Sequence, residues 1–238
     1  MNSQLKAVIL KEIKEVSGGR NYLFNTLVNI FPFLALGFIS AMAISGPAQK
    51  LIMEFSFITI PSLGMLLFSL PFIQEKFGDE KLTHKFESIL TTPISLRILW
   101  TGKMISIFLL SYPMVIIIIV ILILIWNILK GLNPLLIISA PARVIILVIA
   151  PLLPMVYDGL SSWSVLRFTH PKIMQILLYL AVGGGVLIFV IAGNIAKNII
   201  DGQIINWIVV AYSSIGVVIS TVLVLFLIDR LDKEKVTL

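Results

Sequence analysis

Long apolar blocks dominate this chain, and the most extreme of them contains the aliphatic run IIIIVILILI at 116–125. A helix needs about 20 apolar residues to cross a bilayer. Blocks of that length predict a single all-α transmembrane domain with six spans, at 22–43, 53–73, 104–129, 141–157, 173–195 and 205–228. The start of the fourth span is the least defined boundary, because 132–138 are also apolar. Only 13% of the 238 residues are charged, against roughly 25% in soluble domains, so a soluble catalytic domain is not expected.

Residues 1–20 predict an amphipathic helix on the cytoplasmic surface of the membrane. Apolar side chains recur there at helical spacing on one face, and lysines occupy other positions; the apolar set is Leu5, Val8, Ile9, Ile13 and Val16. Gly18 and Gly19 are expected to end the helix. The lysines also interrupt any apolar core that a signal peptide would need. The alternative is a frayed cationic tail.

The distribution of positive charge predicts the orientation of the spans. Cytoplasmic loops of membrane proteins are enriched in Lys and Arg. Here the polar segments on one side carry fourteen such residues, namely Lys6, Lys11, Lys14, Arg20, Lys76, Lys81, Lys85, Arg97, Lys103, Arg167, Lys172, Arg230, Lys233 and Lys235. The opposite segments carry three: Lys50, Lys130 and Lys197. We therefore expect the spans to lie in the plasma membrane. Both termini and the segment 74–103 are expected on its cytoplasmic side. Topology then explains the net charge of +6 without nucleic acid.

The segment 74–103, QEKFGDEKLTHKFESILTTPISLRILWTGK, is the longest polar stretch between apolar blocks. Phe86, Ile89 and Leu90 fall at helical spacing, which predicts a short helix that inserts an apolar ridge into a groove of a partner. Pro93 would end this helix and direct the chain back to the membrane. Surrounding charges would fix orientation and partner choice more than affinity. The alternative is an ordinary solvated loop.

The chain lacks the usual groups for chemistry of its own. It has no G-x-x-x-x-G-K-[ST] phosphate-binding motif, since Arg97 stands where a first glycine would precede Gly102-Lys103. His84 and His170 fall in predicted cytoplasmic loops and belong to no metal-ligand pattern. Asp158 is predicted at a span boundary, at the start of a polar loop over 158–172. The span cores are therefore expected to lack Asp, Glu and Lys, and the energy for any transport is expected to come from another protein.

Two motifs in 74–103 resemble the type-2 ABC transporter permease family. FIQEKFGDEK is followed by KFESILTTPIS and then by Gly-Lys before the third predicted span. The matching positions are Glu75, Lys76, Gly78, Glu87, Ile89, Leu90, Thr92, Pro93, Ser95, Gly102 and Lys103. The predicted layout of spans and the amphipathic N-terminal helix are also similar to that family. One departure is an apparent insertion at 79–85, which leaves either Glu80 or Glu87 as the counterpart of the family's second glutamate.

The resemblance implies the membrane subunit of an ABC exporter, with 74–103 as the coupling segment. It implies a cytoplasmic ABC ATPase as partner, a second copy of this chain or a similar permease, and the lipid bilayer as surroundings. ATP and Mg²⁺ would bind to the ATPase, and no cofactor is expected in this chain. A different class is a non-transporting membrane scaffold or immunity-type protein that recruits a cytoplasmic partner through the same segment. An intramembrane enzyme is a weaker alternative, because its catalytic groups are missing.

Four polar residues within or beside the predicted spans are further candidates. Asn25 and Asn29 lie one helical turn apart, where they would either hydrogen-bond a neighbouring helix or line a translocation path. Glu54 and Arg143 lie at the outer ends of the second and fourth spans. Either they form an outer ion pair that joins these spans, or each extends independently to the interface.

Overall fold

The computed structural model describes residues 3–17, 22–42, 49–85, 94–167, 176 and 207–231. Helix accounts for 93% of these residues, and none of them lies in a strand. The helices are α1 (Ser3–Ser17), α2 (Tyr22–Met42), α3 (Gln49–Leu82), α4 (Leu96–Lys130), α5 (Pro134–Ile137), α6 (Ala140–Arg167) and α7 (Trp207–Asp229). Four of them, α3, α4, α6 and α7, are long and apolar enough to cross a membrane. The all-helical fold is thus confirmed for the described residues, and four helices suit a membrane-spanning protein by length and composition, while the count of six spans stays a prediction. Apart from Ile176, the predicted fifth span lies outside the described residues.

Helices α3 and α4 extend well beyond the spans that hydropathy predicts. Helix α3 continues past Ile73 through a π-helical turn, Gln74–Asp79, to Leu82. Helix α4 begins at Leu96, where the hydroxyl of Ser95 accepts a hydrogen bond from the Ile98 N–H at 3.2 Å. Hydropathy marks only the apolar part of a helix, so polar helical turns beyond the apolar block are missed. Both ends of the polar segment 74–103 are therefore helical extensions of α3 and α4.

Helix α6 corrects the predicted end of the fourth span. The helix begins after Ser139, with Pro141 in its first turn as expected, but it continues through Asp158 to Arg167 instead of ending at Tyr157. The supposed polar loop begins with small residues that pack closely. Gly159 lies against Val224 of α7, where an added Cβ would meet the Val224 Cγ1 at 2.8 Å. Small residues are typical of contacts between membrane helices, and a composition-based prediction reads them as a loop.

Helix α3 is the centre of the bundle and packs against α2, α4 and α6. One buried apolar cluster near its beginning includes Phe57, Ile118 and Trp126. A second cluster near its end includes Leu70, Phe77 and Trp100, together with Leu166 of α6. The aliphatic run 116–125 divides between two surfaces. Within it, Ile118, Ile119 and Leu122 are buried, and Ile116, Ile117, Val120 and Leu124 are exposed. Such exposed residues fit a lipid-facing surface.

Two prolines of α6 create acceptors that neighbouring helices satisfy. Proline has no N–H, so an α-helical turn that ends at a proline leaves the carbonyl four residues earlier without its usual donor. Pro151 stands four residues after Leu147, whose carbonyl accepts from the Tyr112 hydroxyl of α4 at 3.2 Å. Pro154 likewise follows Ala150, whose carbonyl lies 3.2 Å from the Ser62 hydroxyl of α3, which shares its single proton with the Ile58 carbonyl at 2.6 Å. These hydrogen bonds compensate the missing donors and fix α6 against both neighbours.

Candidate functional site

Four buried charged side chains lie together where the segment 74–103 leaves the bundle. The Lys103 ammonium donates to Glu12 Oε1 at 3.0 Å and to both carboxylate oxygens of Glu80 at 2.8 Å. Lys76 lies 3.3 Å from Glu12 Oε2. The Lys103 side chain is fully buried, and those of Glu12, Lys76 and Glu80 are between 3% and 10% exposed. We call Glu12, Lys76, Glu80 and Lys103 the charge cluster.

The charge cluster joins three helices that are distant in sequence. Glu12 belongs to α1, Lys76 and Glu80 to the extension of α3, and Lys103 to the extension of α4. The two carboxylates and two ammonium groups have no net charge, which limits the cost of removing them from water. The Phe77 ring lies 5.9 Å from the Lys103 ammonium and covers it. This arrangement fixes the N-terminal helix to both ends of the segment 74–103.

Gly102 permits the close contact between α1 and α4 that this cluster requires. A Cβ placed at residue 102 would lie 2.6 Å from the Val8 Cγ1 and 3.0 Å from the Val8 Cβ. Real Cβ atoms essentially never approach a neighbouring atom to less than 3.0 Å, so a larger residue would force Val8 or α1 to shift. The adjacent Ser106 hydroxyl also lies 3.3 Å from the Ile9 carbonyl. Gly102 and Lys103, the last two residues of the polar segment, therefore have distinct roles in holding α1.

Two further carboxylates extend the cluster to the surface. Lys76 lies 3.2 Å from Glu15 and 3.4 Å from Glu75, whose side chains are about half exposed. Burial acts to raise the pKa of the Glu15 carboxyl, but the hydrogen bond and the charge of Lys76 outweigh it and lower that pKa below its ordinary value. The cluster thus has a buried centre with no net charge and a half-exposed acidic rim, Glu15 and Glu75.

Lys81 links the same segment to α6. Its ammonium donates to the main-chain carbonyls of Val165 at 3.3 Å and Leu166 at 2.5 Å. These are among the last carbonyls of α6, which lack donors within their own helix and favour a cation. Gly78 lies beside Val165, since a Cβ there would be 3.9 Å from its Cγ1. A displacement of the α3 extension would therefore be passed to α6 as well.

The predicted docking residues divide between described and undescribed parts of the chain. Glu75, Lys76, Gly78 and Glu80 all lie in the α3 extension. Phe86, Glu87, Ile89, Leu90, Thr92 and Pro93 lie outside the described residues. Asn25 and Asn29 lie on α2, and the described part of that helix does not include their side chains. Their orientation and the docking ridge stay predictions.

Glu54 does not pair with Arg143 in the structure, although both residues are described. Glu54 is buried, and its Oε1 accepts from the backbone N–H of Ser139 at 2.9 Å. The first N–H groups of a helix lack internal partners, and a helix N-terminus attracts negative charge. Arg143 is instead exposed. Glu54 thus joins α3 to the start of α6, as the proposed ion pair would have done, but through the backbone.

Asp158 corrects the expectation that the span cores lack acidic groups. It lies within α6, one of the helices able to cross a membrane, and is only 1% exposed. Its side chain is hydrogen-bonded to Ser69 of α3. The sequence placed it at the start of a loop because small and polar residues follow it. Ser161, Ser162, Val165 and Leu166 follow it at intervals of three and four residues and are buried on the same face, which was the signal for a longer helix.

Glu12 is the functional residue that the sequence reading missed. The buried face of α1 contains Val8, Ile9, Glu12 and Val16. A glutamate at helical spacing between apolar residues indicates a buried carboxylate that needs a cationic partner. The partner could not be named from sequence, because Lys103 is 91 residues away.

The fold and the site together define a helical membrane-type protein whose charge cluster anchors an extended polar segment. Within the described residues, no group of three or more His, Asp or Glu side chains could hold a metal ion. Comparisons with protein-family models, curated proteins and solved structures found no match to this chain.

Proposed function

We propose that this chain is the membrane subunit of an ATP-driven exporter in the plasma membrane, with both termini in the cytoplasm. The segment 74–103 docks on a separate cytoplasmic ATPase, as the resemblance to type-2 ABC permeases suggests. The observation that supports this most is the charge cluster, because it fixes the two helical ends of that segment to each other and to α1.

The geometry suits a segment that passes force from a partner to the spans. Its first part is continuous with α3 and its last part with α4. A force on the residues between these ends would therefore displace α3 and α4 together. The charge cluster carries the same displacement to α1, and Lys81 carries it to α6. A segment used only to recruit a partner would not need these connections.

In this proposal ATP and Mg²⁺ bind to the partner ATPase, and hydrolysis there rocks the spans. A second copy of this chain, or a similar permease, completes a translocation path between the two subunits. The substrate moves outward through that path. The Asn25 and Asn29 side chains are candidates to line it. The rival function is a scaffold or immunity-type protein that binds the same ATPase without moving a compound.

The docking ridge is tested by replacing both Ile89 and Leu90 with Asp. The chain is purified in mild detergent from membranes that also contain its ATPase, and ATP hydrolysis is measured in the purified complex. We expect the double variant to insert normally and to lose the associated ATPase activity. A matched control replaces Leu135 and Leu136 with Asp. These residues are exposed at the other end of the bundle, so the control should retain the associated ATPase activity.

Retained ATPase association in the Ile89→Asp/Leu90→Asp variant would contradict docking by this ridge. A second measurement separates the exporter from the scaffold. The complex is reconstituted in lipid vesicles and its ATPase activity is measured with a set of candidate compounds. An exporter requires a compound that both stimulates hydrolysis and accumulates on the far side of the membrane, whereas a scaffold shows neither effect.

A further inference from the structure

Asp158 is a buried acid for which the proposed function has no use. Its side chain is 1% exposed, and its Oδ1 has no hydrogen-bond partner within the part of the chain that the structure describes. Ser69, which is fully buried on α3, is its hydrogen-bonding neighbour. An ionisable group inside a membrane helix is costly and is usually functional. The groups around Asp158 determine whether the ionised carboxylate or the protonated acid is the stable state.

The hydroxyl of Ser69 can form that hydrogen bond in either of two directions. Ser69 donates to the carbonyl of Leu66 at 3.1 Å. A serine has one hydroxyl proton but can accept with two lone pairs. A carboxylate cannot donate, whereas a protonated acid can. With that proton directed to Leu66, the Ser69 oxygen accepts from a protonated Asp158; with the proton turned to Asp158, Ser69 donates to a carboxylate. Burial and the surrounding charges therefore decide between the two forms.

Among the residues that the structure describes, no positive charge pairs with Asp158. The hydrogen-bonded neighbour of Asp158 is a neutral serine, and the adjacent titratable group on α6 is Tyr157. Of the described cations on α6 and the helices packed around it, Lys50, Lys130 and Arg143 lie toward the opposite end of the bundle, and the others are engaged elsewhere. Lys76 and Lys103 belong to the charge cluster, Lys81 donates to Val165 and Leu166, Arg97 pairs with Asp229, Arg167 lies over Trp163 and Arg230 over Phe226. A buried carboxylate without a cation is strongly disfavoured.

We propose that Asp158 is a proton-binding site, occupied in the folded protein at neutral pH. The bound proton lies on a carboxyl oxygen and is donated to Ser69 Oγ, which in turn donates to the Leu66 carbonyl. The proton comes from water, and binding it converts the carboxylate into a neutral acid with no other bond made or broken. The protonated site joins α6 to α3 through this hydrogen bond without placing a charge between the two helices. Loss of the proton would leave a bare carboxylate between the two helices and favour their separation.

This inference stands apart from the proposed exporter function, because it rests only on the packing of α6 against α3. Its direct test is infrared spectroscopy of the full chain in detergent at neutral pH. Protonated carboxylic acids have a C=O stretching band that carboxylates and amides lack. We expect the wild-type chain to show such a band and the Asp158→Asn variant to lose a component of it. Asp229→Asn, which changes a half-exposed carboxylate, is the matched control and should leave the band unchanged.

Ser69→Ala tests the direction of the hydrogen bond and does not depend on the folding of Asp158→Asn. It removes the acceptor for the acid proton, so the Asp158 component should keep its intensity and shift to higher frequency. A second readout is thermal unfolding as a function of pH. Unfolding exposes Asp158 to water, where it ionises at neutral pH, so wild-type unfolding releases one proton more than unfolding of Asp158→Asn. For each unit of pH in the neutral range, the unfolding equilibrium constant of wild type should therefore rise about tenfold more than that of Asp158→Asn.

Three results would overturn the proposal. The first is an acid band that is identical in wild type and Asp158→Asn. The second is a band in Ser69→Ala at the wild-type frequency. The third is unfolding of wild type and Asp158→Asn with the same pH dependence.

Discussion

At the scale of single residues, the decisive feature is that two lysines of the polar segment 74–103 lie in the interior. Lys103 is fully buried, and the Lys76 side chain is only 4% exposed. A buried ion pair adds little net stability compared with an apolar pair, but removal of one member leaves the other charged and unpaired. The charge cluster therefore fixes a particular arrangement of α1, α3 and α4, and its members are the most sensitive single sites.

Lys103→Met should destabilise the protein by about 3–5 kcal/mol, because the carboxylates of Glu12 and Glu80 lose their shared cation. The measurement is denaturant or thermal unfolding in detergent. The double variant Lys103→Met/Glu80→Gln should lose less unfolding free energy than the two single variants together. Glu80→Gln removes a carboxylate that Lys103→Met leaves buried without its cation. Arg97→Met is the control. Its pair with Asp229 has side chains 59% and 44% exposed, and such pairs contribute about 0–1 kcal/mol. A Lys103→Met cost no larger than that of the control would contradict the cluster.

The acidic rim predicts a dependence on pH with a definite sign. Lys76 lowers the pKa of Glu15 in the folded state, so the folded protein binds this proton less readily than the unfolded chain. The resulting stability is present above the ordinary glutamate pKa of about 4.3. It is lost as the pH falls through the lower, folded value. Because Glu15 is half exposed, the effect should be small and should weaken with salt. The unfolding midpoint of Glu15→Gln should fall less than that of wild type over this acidic range; equal slopes would contradict the interaction.

At the scale of elements, close contacts and compensated prolines set the helix packing. Gly102 allows α1 to lie on α4, and Gly159 allows α7 to lie on α6. The Tyr112 hydroxyl supplies the donor that Pro151 removes from α6, and the Ser62 hydroxyl, whose proton is shared with the Ile58 carbonyl, partly replaces the donor that Pro154 removes. Each of these contacts links the position of one helix to that of another. A destabilising substitution in one helix should therefore be partly compensated by a second substitution in its neighbour.

Gly102→Ala should destabilise the contact between α1 and α4, because the new methyl group would overlap Val8. We expect a loss of about 1–3 kcal/mol, the usual range for overpacking, in unfolding measurements. Val8→Ala in the same chain should recover part of it by making room. Gly216→Ala is the control, since nothing lies within 4 Å of its added Cβ. That change should be neutral or stabilise α7 by about 0.5–1 kcal/mol. Equal effects at the two glycines would show that α1 does not pack here.

Tyr112→Phe should destabilise the protein by about 1 kcal/mol, because the Leu147 carbonyl loses the donor that replaces Pro151. In a Pro151→Ala background the backbone N–H returns, and the same change should cost much less. A double-mutant cycle on thermal stability measures the difference. Ser214→Ala serves as the control. That hydroxyl donates to the Val210 carbonyl of its own helix, so its cost should not depend on Pro151. If the free-energy costs of Tyr112→Phe and Pro151→Ala are additive, the Tyr112 hydroxyl does not replace the donor that Pro151 lacks.

At the scale of the whole molecule, the bundle has two chemically different ends. The end that contains the charge cluster also contains the polar extensions of α3 and α4 and the Arg97–Asp229 pair. The opposite end is formed by the beginning of α3, the short helix α5 and the start of α6. Its buried acid, Glu54, binds a backbone N–H instead of a basic side chain. This asymmetry matches the predicted bias of positive charge toward the cytoplasm.

The predicted orientation can be measured with introduced thiols, because the chain contains no cysteine. Thr83→Cys places a thiol at the exposed end of the α3 extension, and Leu135→Cys places one on α5. In intact cells a membrane-impermeant maleimide should label only Leu135→Cys, whereas after permeabilisation both variants should react. Labelling of Thr83→Cys in intact cells would reverse or exclude the proposed topology.

The amino-acid sequence by itself determined the class of this protein. Helical content, membrane-length apolar blocks and the bias of charge are properties of windows of about 20 residues, and hydropathy records them directly. Ser139 before α6 and Pro141 in its first turn were also predictable, because helix starts have local signals.

Only the tertiary structure decided which polar residues are interior. The Glu12–Lys103 contact joins residues 91 apart, and the position of Asp158 depends on how α6 packs against α3. Helix extensions and partner choice arise from contacts between distant elements, and such contacts leave no periodic signal in the segments that make them.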